Sequence, residues 1–133
     1  MTRTIPICAA FEEAAVAGDL PALERLLADD VVLHSPVMPK PYQGRAAVMG
    51  LLTALSIALD EIRYPYPPMS DESGAAQRHA LRFTASVDGK TVHGMDVLTV
   101  HNGLVREITV YARPMPALMS LARAVGKAAG GLP

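Results

Sequence analysis

The stretch from Gln77 to Ala112 alternates apolar and polar residues and is punctuated by Asp88-Gly89 and Asn102-Gly103. Both dipeptides favour the two-residue primed turns that join neighbouring antiparallel strands, because each supplies residues that tolerate positive φ. Three consecutive strands joined in this way commit this part of the chain to an antiparallel meander. In its first strand His79, Leu81, Phe83, Ala85 and Val87 share one face, while Arg78, Arg82, Thr84 and Ser86 share the other.

The residues before the meander carry helical spacing instead. Ile7, Ala10, Phe11 and Ala14 fall on one face of a helix for which Thr4 and Pro6 suit the start and Gly18 the stop. Asp19 caps a second short helix with a Leu20, Leu23, Leu26, Leu27 stripe, ended by Asp29-Asp30. Val31 to Ser35 forms a short strand stopped by Pro36, and Pro36, Pro39 and Pro41 stiffen the loop that runs to Gly44. Val48, Leu51, Leu52, Leu55 and Leu59 mark a third helix, and Glu61 to Tyr66 is extended until Pro67-Pro68. Pro114 and Pro116 open a last helix with Leu118, Leu121, Ala122 and Val125 on one face, and Gly126 to Pro133 reads as a frayed tail. Helices and strands in separate blocks imply an α+β fold, with helices packed on one face of a curled antiparallel sheet. The expected organisation is one domain over 1–133 with its core at about 7–125.

Half of the 133 residues are hydrophobic, enough for a core without staples, and the single cysteine, Cys8, excludes an internal disulfide framework. A formal net charge of −1 with interspersed signs offers no basic stripe for nucleic acid. The first residues lack the apolar core of a secretory signal, and no run approaches the roughly 18 apolar residues of a membrane span. A cytoplasmic protein is therefore expected. The high apolar content suits burial of part of the surface between two copies, a homodimer through the outer sheet face.

Within the meander one residue breaks the pattern. Val92, Gly94, Asp96, Leu98 and Val100 share a strand face, and only Asp96 is charged. A carboxylate on a core face is costly unless it is paired, hydrogen-bonded or neutralised by a raised pKa. The position therefore carries either a structural carboxylate paired to an Arg or His, or an acid/base group lining a cavity.

Several stretches together resemble the cone-shaped nuclear transport factor 2-like superfamily. They are Phe11 to Leu27 with its Ala17-Gly18-Asp19 joint, Ala28-Asp29-Asp30-Val31-Val32-Leu33-His34-Ser35-Pro36, Tyr42-Gln43-Gly44-Arg45, Gly94-Met95-Asp96-Val97-Leu98 and Gly103-Leu104-Val105-Arg106-Glu107-Ile108. Within it the chain is most similar to the SnoaL-like polyketide cyclase and ketosteroid isomerase-like proteins. The resemblance implies a cone-shaped, cystatin-like fold with helices on the concave face of the sheet, and a cavity for a small hydrophobic molecule. It also implies reactions such as isomerisation, cyclisation or hydration, without a cofactor. In ketosteroid isomerases a carboxylate base precedes a proline at the end of the first strand, a tyrosine in the first helix helps form the oxyanion hole, and an acid stands on the hairpin. Ser35, Phe11 and Asp96 stand at those positions here. Only the third keeps its chemistry, a carboxylic acid of the kind an apolar site can hold neutral, which argues against ordinary steroid isomerisation.

The candidate set follows. Asp96 is the central acid/base group, with His34 or His79 as a second titrating group because imidazole exchanges protons near neutrality. Alternation couples Ser35 with Val31 and Leu33, so a Ser35 that lines the cavity turns His34 away; His79 reads equally as a satisfied core histidine or a partner of Asp96. Ser35 and Tyr42 are placed as substrate-orienting groups, with Phe11, Phe83, Leu98 and Ile108 as apolar wall. Tyr64, Tyr66 and Tyr111 read as sheet-face or interface residues. No His-x-x-x-His or His-Glu-x-x-His spacing supports a metal. A non-catalytic module holding an apolar metabolite in the same cavity is the competing reading.

Overall fold

The paired glycine turns shape the sheet. In the computed structural model, which describes residues 6–129, Asp88, Gly89, Asn102 and Gly103 all have positive φ, from 51° to 76°. That matches the primed geometry whose twist suits adjoining strands. The three long strands of the meander are β5 (Gln77–Val87), β6 (Lys90–His101) and β7 (Leu104–Arg113). Before them come α1 (Ile7–Ala17), α2 (Leu20–Leu26), β1 (Leu27–His34), β2 (Tyr42–Gln43), α3 (Arg45–Ala58), β3 (Asp60–Arg63) and β4 (Met69–Asp71); α4 (Met115–Ala128) follows. The sheet order is β2-β1-β7-β6-β5-β3, with β4 also pairing β5. All pairings are antiparallel except β1 with β7, which run parallel. The segment between β1 and β7, with α3 and the strands from β2 to β6, supplies the long connection a parallel pair needs.

Local chemistry sets the joints. Gly18 closes α1 in the left-handed conformation, and the Asp19 carboxylate accepts from the Ala22 amide to start α2. That helix ends earlier than Asp29-Asp30 suggests. Leu27 already belongs to β1, where Leu27, Ala28, Val31 and Leu33 are buried and the two aspartates face solvent. The register against β7 shifts between Leu27 and Val32, and the outward aspartates pair with Arg45 and Arg106 at 2.8 and 2.7 Å. The prolines keep the loop after β1 off the sheet except for Tyr42–Gln43, a short edge strand. At the N-terminus Pro6 precedes the first helical residue, Ile7, while Thr4 lies outside the described residues. At the other end α4 runs through Gly126 to Ala128, further than the frayed tail expected there; residues 130–133 lie outside the described ones.

Apolar side chains gather in two clusters on the helix-covered side of the sheet. One joins α1, α2 and α3 to β1, β6 and β7, and the other packs Ala117 and Leu121 of α4 on Phe83, Ala85 and Val92. Among the described residues no helix is long and apolar enough to cross a membrane.

Candidate functional site

A cavity of about 480 Å³ lies between the sheet and the helices, within the size range of small-molecule sites. Its floor comes from inward positions of the meander. Phe83 of β5, Val92 and Asp96 of β6, and Ile108 and Val110 of β7 all contribute. Asp96 faces Leu81 on one neighbouring strand and Val110 on the other, so a carboxylate is set among apolar side chains at 8% exposure.

The residue that answers Asp96 is Tyr64, just beyond β3. Its hydroxyl donates to Asp96 Oδ2 at 2.9 Å, and it lines the same cavity. Its ring meets Phe83 edge-on, with centroids 6.2 Å apart. Burial pushes the Asp96 carboxyl from its ordinary 3.8 up to about 7; the Tyr64 hydrogen bond pulls the other way, and the charge of Glu12 adds to the rise. Burial also holds the Tyr64 phenol well above its ordinary value, reinforced by Asp96, so it stays protonated as a donor. Glu12 stands on α1 with Oε2 sealed and without a hydrogen-bond partner among the described residues, and burial raises its carboxyl as well. Nearby Cys8 is a buried free thiol raised to about 11, mainly by burial and then by Glu12 and Glu72, which leaves it inert as a nucleophile at neutral pH.

Gly94 makes room for the aromatic floor. A Cβ at this position would collide with the Phe83 ring and crowd the Tyr111 carbonyl, so only glycine lets the ring lie across the strand.

The other expected residues divide between the cavity and elsewhere. Ser35, Tyr42, Phe11, Phe83 and Ile108 line the cavity with Asp96. The Ser35 hydroxyl accepts from the amides of Val37 and Met38 at 3.0 and 3.2 Å, folding the proline loop inward. His34 does not reach the cavity. β1 alternation turns it to the outer face, where Nε2 lies 2.8 Å from Glu107 and the pair is partly solvated. His79 is inward and buried but is no partner of Asp96. Nδ1 meets Ser70 Oγ at 2.6 Å and Nε2 meets Gln77 Oε1 at 3.2 Å, and its side chain is absent from the cavity wall. Leu98 shares the Asp96 face yet is fully enclosed by the core, outside the cavity. Tyr64, read from the sequence as a sheet-face or interface residue, is the one that completes the site. Its signal was present: Ile62 and Tyr64 alternate with Glu61 and Arg63, and both line the cavity.

Among the described residues, Asp96 is the one carboxyl of the cavity wall, and no Lys, Arg or His lines it. Among the described residues no three His, Cys, Asp or Glu side chains converge as metal ligands would. The arrangement can bind an apolar molecule, offer it a carboxyl that changes charge near neutrality, and hold that carboxyl in place through a phenol.

Compared with known proteins, residues 8–108 match the family described as SnoaL-like domain. Among curated proteins none matches the chain. Among solved structures, a bacterial protein with a cystatin-like fold from Silicibacter pomeroyi DSS-3 is 28% identical, with a TM-score of 0.83 over 92% of this chain and 84% of that one. A steroid delta-isomerase from Pseudomonas aeruginosa is 27% identical, with a TM-score of 0.82 over 91% and 87%. An NTF2-like protein from Burkholderia xenovorans LB400 is 26% identical, with a TM-score of 0.63 over 90% and 92%.

Proposed function

This chain belongs to the SnoaL-like domain family, and from that membership we propose a small cofactor-independent enzyme that moves a proton on a hydrophobic carbonyl compound, with Asp96 as its acid/base group. The observation that carries the reading is the Tyr64–Asp96 pair inside an apolar cavity. A carboxyl raised to about 7 populates both forms near neutral pH, where a general acid/base is most effective. As a carboxylate, Asp96 takes a proton from the carbon beside the substrate carbonyl. As the acid, after exchanging its proton with solvent, it delivers a proton to another atom of the same molecule. With one carboxyl among the described wall residues, protons leave and return through the same group, which suits isomerisation, cyclisation, or loss and gain of water. Tyr64, bonded to Oδ2, holds the carboxyl in plane and leaves Oδ1 to the substrate. Tyr42 and Ser35 orient the ligand at the loop side; Ser35 accepts two amides and retains its own proton to donate.

The test is deuterium uptake from heavy water into β,γ-unsaturated cyclic ketones, followed by NMR. Wild type incorporates the label, whereas Asp96→Asn, folded as wild type, does not; unchanged uptake in that variant rejects the assignment. The second reading, a module that only binds an apolar metabolite, draws on Ser35, which stands where the resemblance expects a base and cannot by itself remove a proton from carbon. A bound ligand recovered unchanged after long incubation favours it.

The setting goes with the same proposal: a cytoplasmic homodimer with no nucleic-acid partner. Met95, Val97 and Tyr111 lie on the outer sheet face, with Tyr111 57% exposed, and they fit a dimer contact. A solution mass of one chain counts against it.

A further inference from the structure

Asp96 is a buried part of the cavity wall, while Ala46, Ala47 and Gly50 of α3 and Ala122 of α4 line the cavity and are also exposed to solvent, as are Gly18 and Met38. Both helices thus carry wall residues that solvent reaches. Two of the wall residues on these helices are glycines, Gly50 and Gly126, and at each of them an added Cβ would meet nothing within 4 Å among the described residues. Glycine is a poor helix former, and neither position has the positive φ that calls for it. Neither has a close neighbour among the described residues, in contrast to Gly94. What the two glycines leave is open space in the wall. Beyond them, Ile57 lies two turns along the Gly50 face and Met119 two turns back along the Gly126 face, and both are exposed, at 64% and 56%. Each helix thus carries an exposed apolar side chain on the face of its glycine.

We propose that the ligand is an elongated, uncharged molecule whose carbonyl end sits at Asp96 and whose apolar far end occupies a slot between α3 and α4, with Gly50 and Gly126 setting the slot's width. The orientation rests on the proton-transfer reading above; the slot does not. The absence of Lys, Arg and His from the described wall gives an anionic ligand no partner. The two glycines are specificity determinants, acting on ligand length and girth.

The test is binding of a homologous series of 2-alkanones, measured by displacement of the neutral dye Nile red. Wild type gains about fourfold in affinity per methylene into the longer members. In Gly50→Leu and Gly126→Leu the gain stops at a shorter chain. Long members then bind about fifteenfold more weakly, equivalent to two excluded methylenes, while short members are unaffected. Gly50→Ala and Gly126→Ala shift the cut-off in the same direction by less, raise the melting temperature because the added methyl meets open space, and carry the test if a leucine variant does not fold. Leucine and alanine variants that follow the wild-type series to its end overturn the proposal, as does a wild type indifferent to chain length. The Asp96→Asn protein keeps the length dependence. Loss of deuterium exchange with the series intact therefore removes the proposed reaction alone, and loss of the series with exchange intact removes the slot alone.

Discussion

Asp96 and His79 lie on neighbouring strands, two positions out of register, since His79 faces Leu98 and Leu81 faces Asp96. Both point inward and both are nearly sealed, at 8% and 5% exposure. His79 has a partner on each ring nitrogen, Ser70 and Gln77, and so lies buried as a finished part of the core. Asp96 has the Tyr64 phenol on one oxygen and otherwise borders open space among apolar side chains. Burial of a polar group alone does not mark a site. Hydrogen-bonding capacity left over, facing a cavity, does.

The sharpest way to break this contrast is turnover. Asp96→Asn should lose ~10²–10⁴-fold in proton-transfer rate, whereas His79→Gln should keep wild-type rates; steady-state deuterium exchange on both variants decides. Next in size is the pH dependence of stability. In the folded chain Asp96 keeps its proton up to about 7, whereas its ordinary value is 3.8. Between those values the folded state binds more protons than the unfolded one, so stability falls as pH rises and levels off above about 7. The loss is on the order of 4 kcal/mol. Asp96→Asn removes this slope, and urea melts across the range should find the variant more stable than wild type at neutral pH and nearly equal to it at acid pH. Smaller again, His79→Ala strips the partners of Ser70 and Gln77 and should cost about 1–3 kcal/mol with turnover unchanged, read from the same melts. The finest distinction concerns the neighbours of Asp96. Tyr64→Phe removes the bond that lowers the carboxyl and should move its midpoint up, and Glu12→Gln removes a repelling charge and should move it down. A carbon-13 titration of both variants checks the opposed directions.

What the sequence disclosed follows from what periodicity encodes. Alternation identified the inward face of Asp96, while the tight turns at Asp88-Gly89 and Asn102-Gly103 were legible from their residue types; for His34 and Ser35 alternation set them on opposite faces without saying which one faces the cavity. These are local consequences of strand geometry. Period gives a face and not a position along it. Leu98 and Asp96 share a face, but the helices cover Leu98 completely and leave Asp96 at the cavity. His79 fails as a catalytic group for a related reason, because its partners come from β4 and from its own strand. Tyr64 was lost to its setting. Pro65, Pro67 and Pro68 make the segment look irregular, and its partner is 32 residues away, a pairing no local pattern reveals. The parallel contact of β1 with β7 is equally non-local.

A carboxyl kept out of water at neutral pH underlies the proposed chemistry. Carbon-13 NMR of the Asp96 side chain, followed across the pH range with Asp96→Asn as assignment control, tests this most directly. The expected midpoint is about 7. A midpoint at the ordinary carboxylate value of about 4 would contradict it, because the group would then be as well hydrated as any surface aspartate.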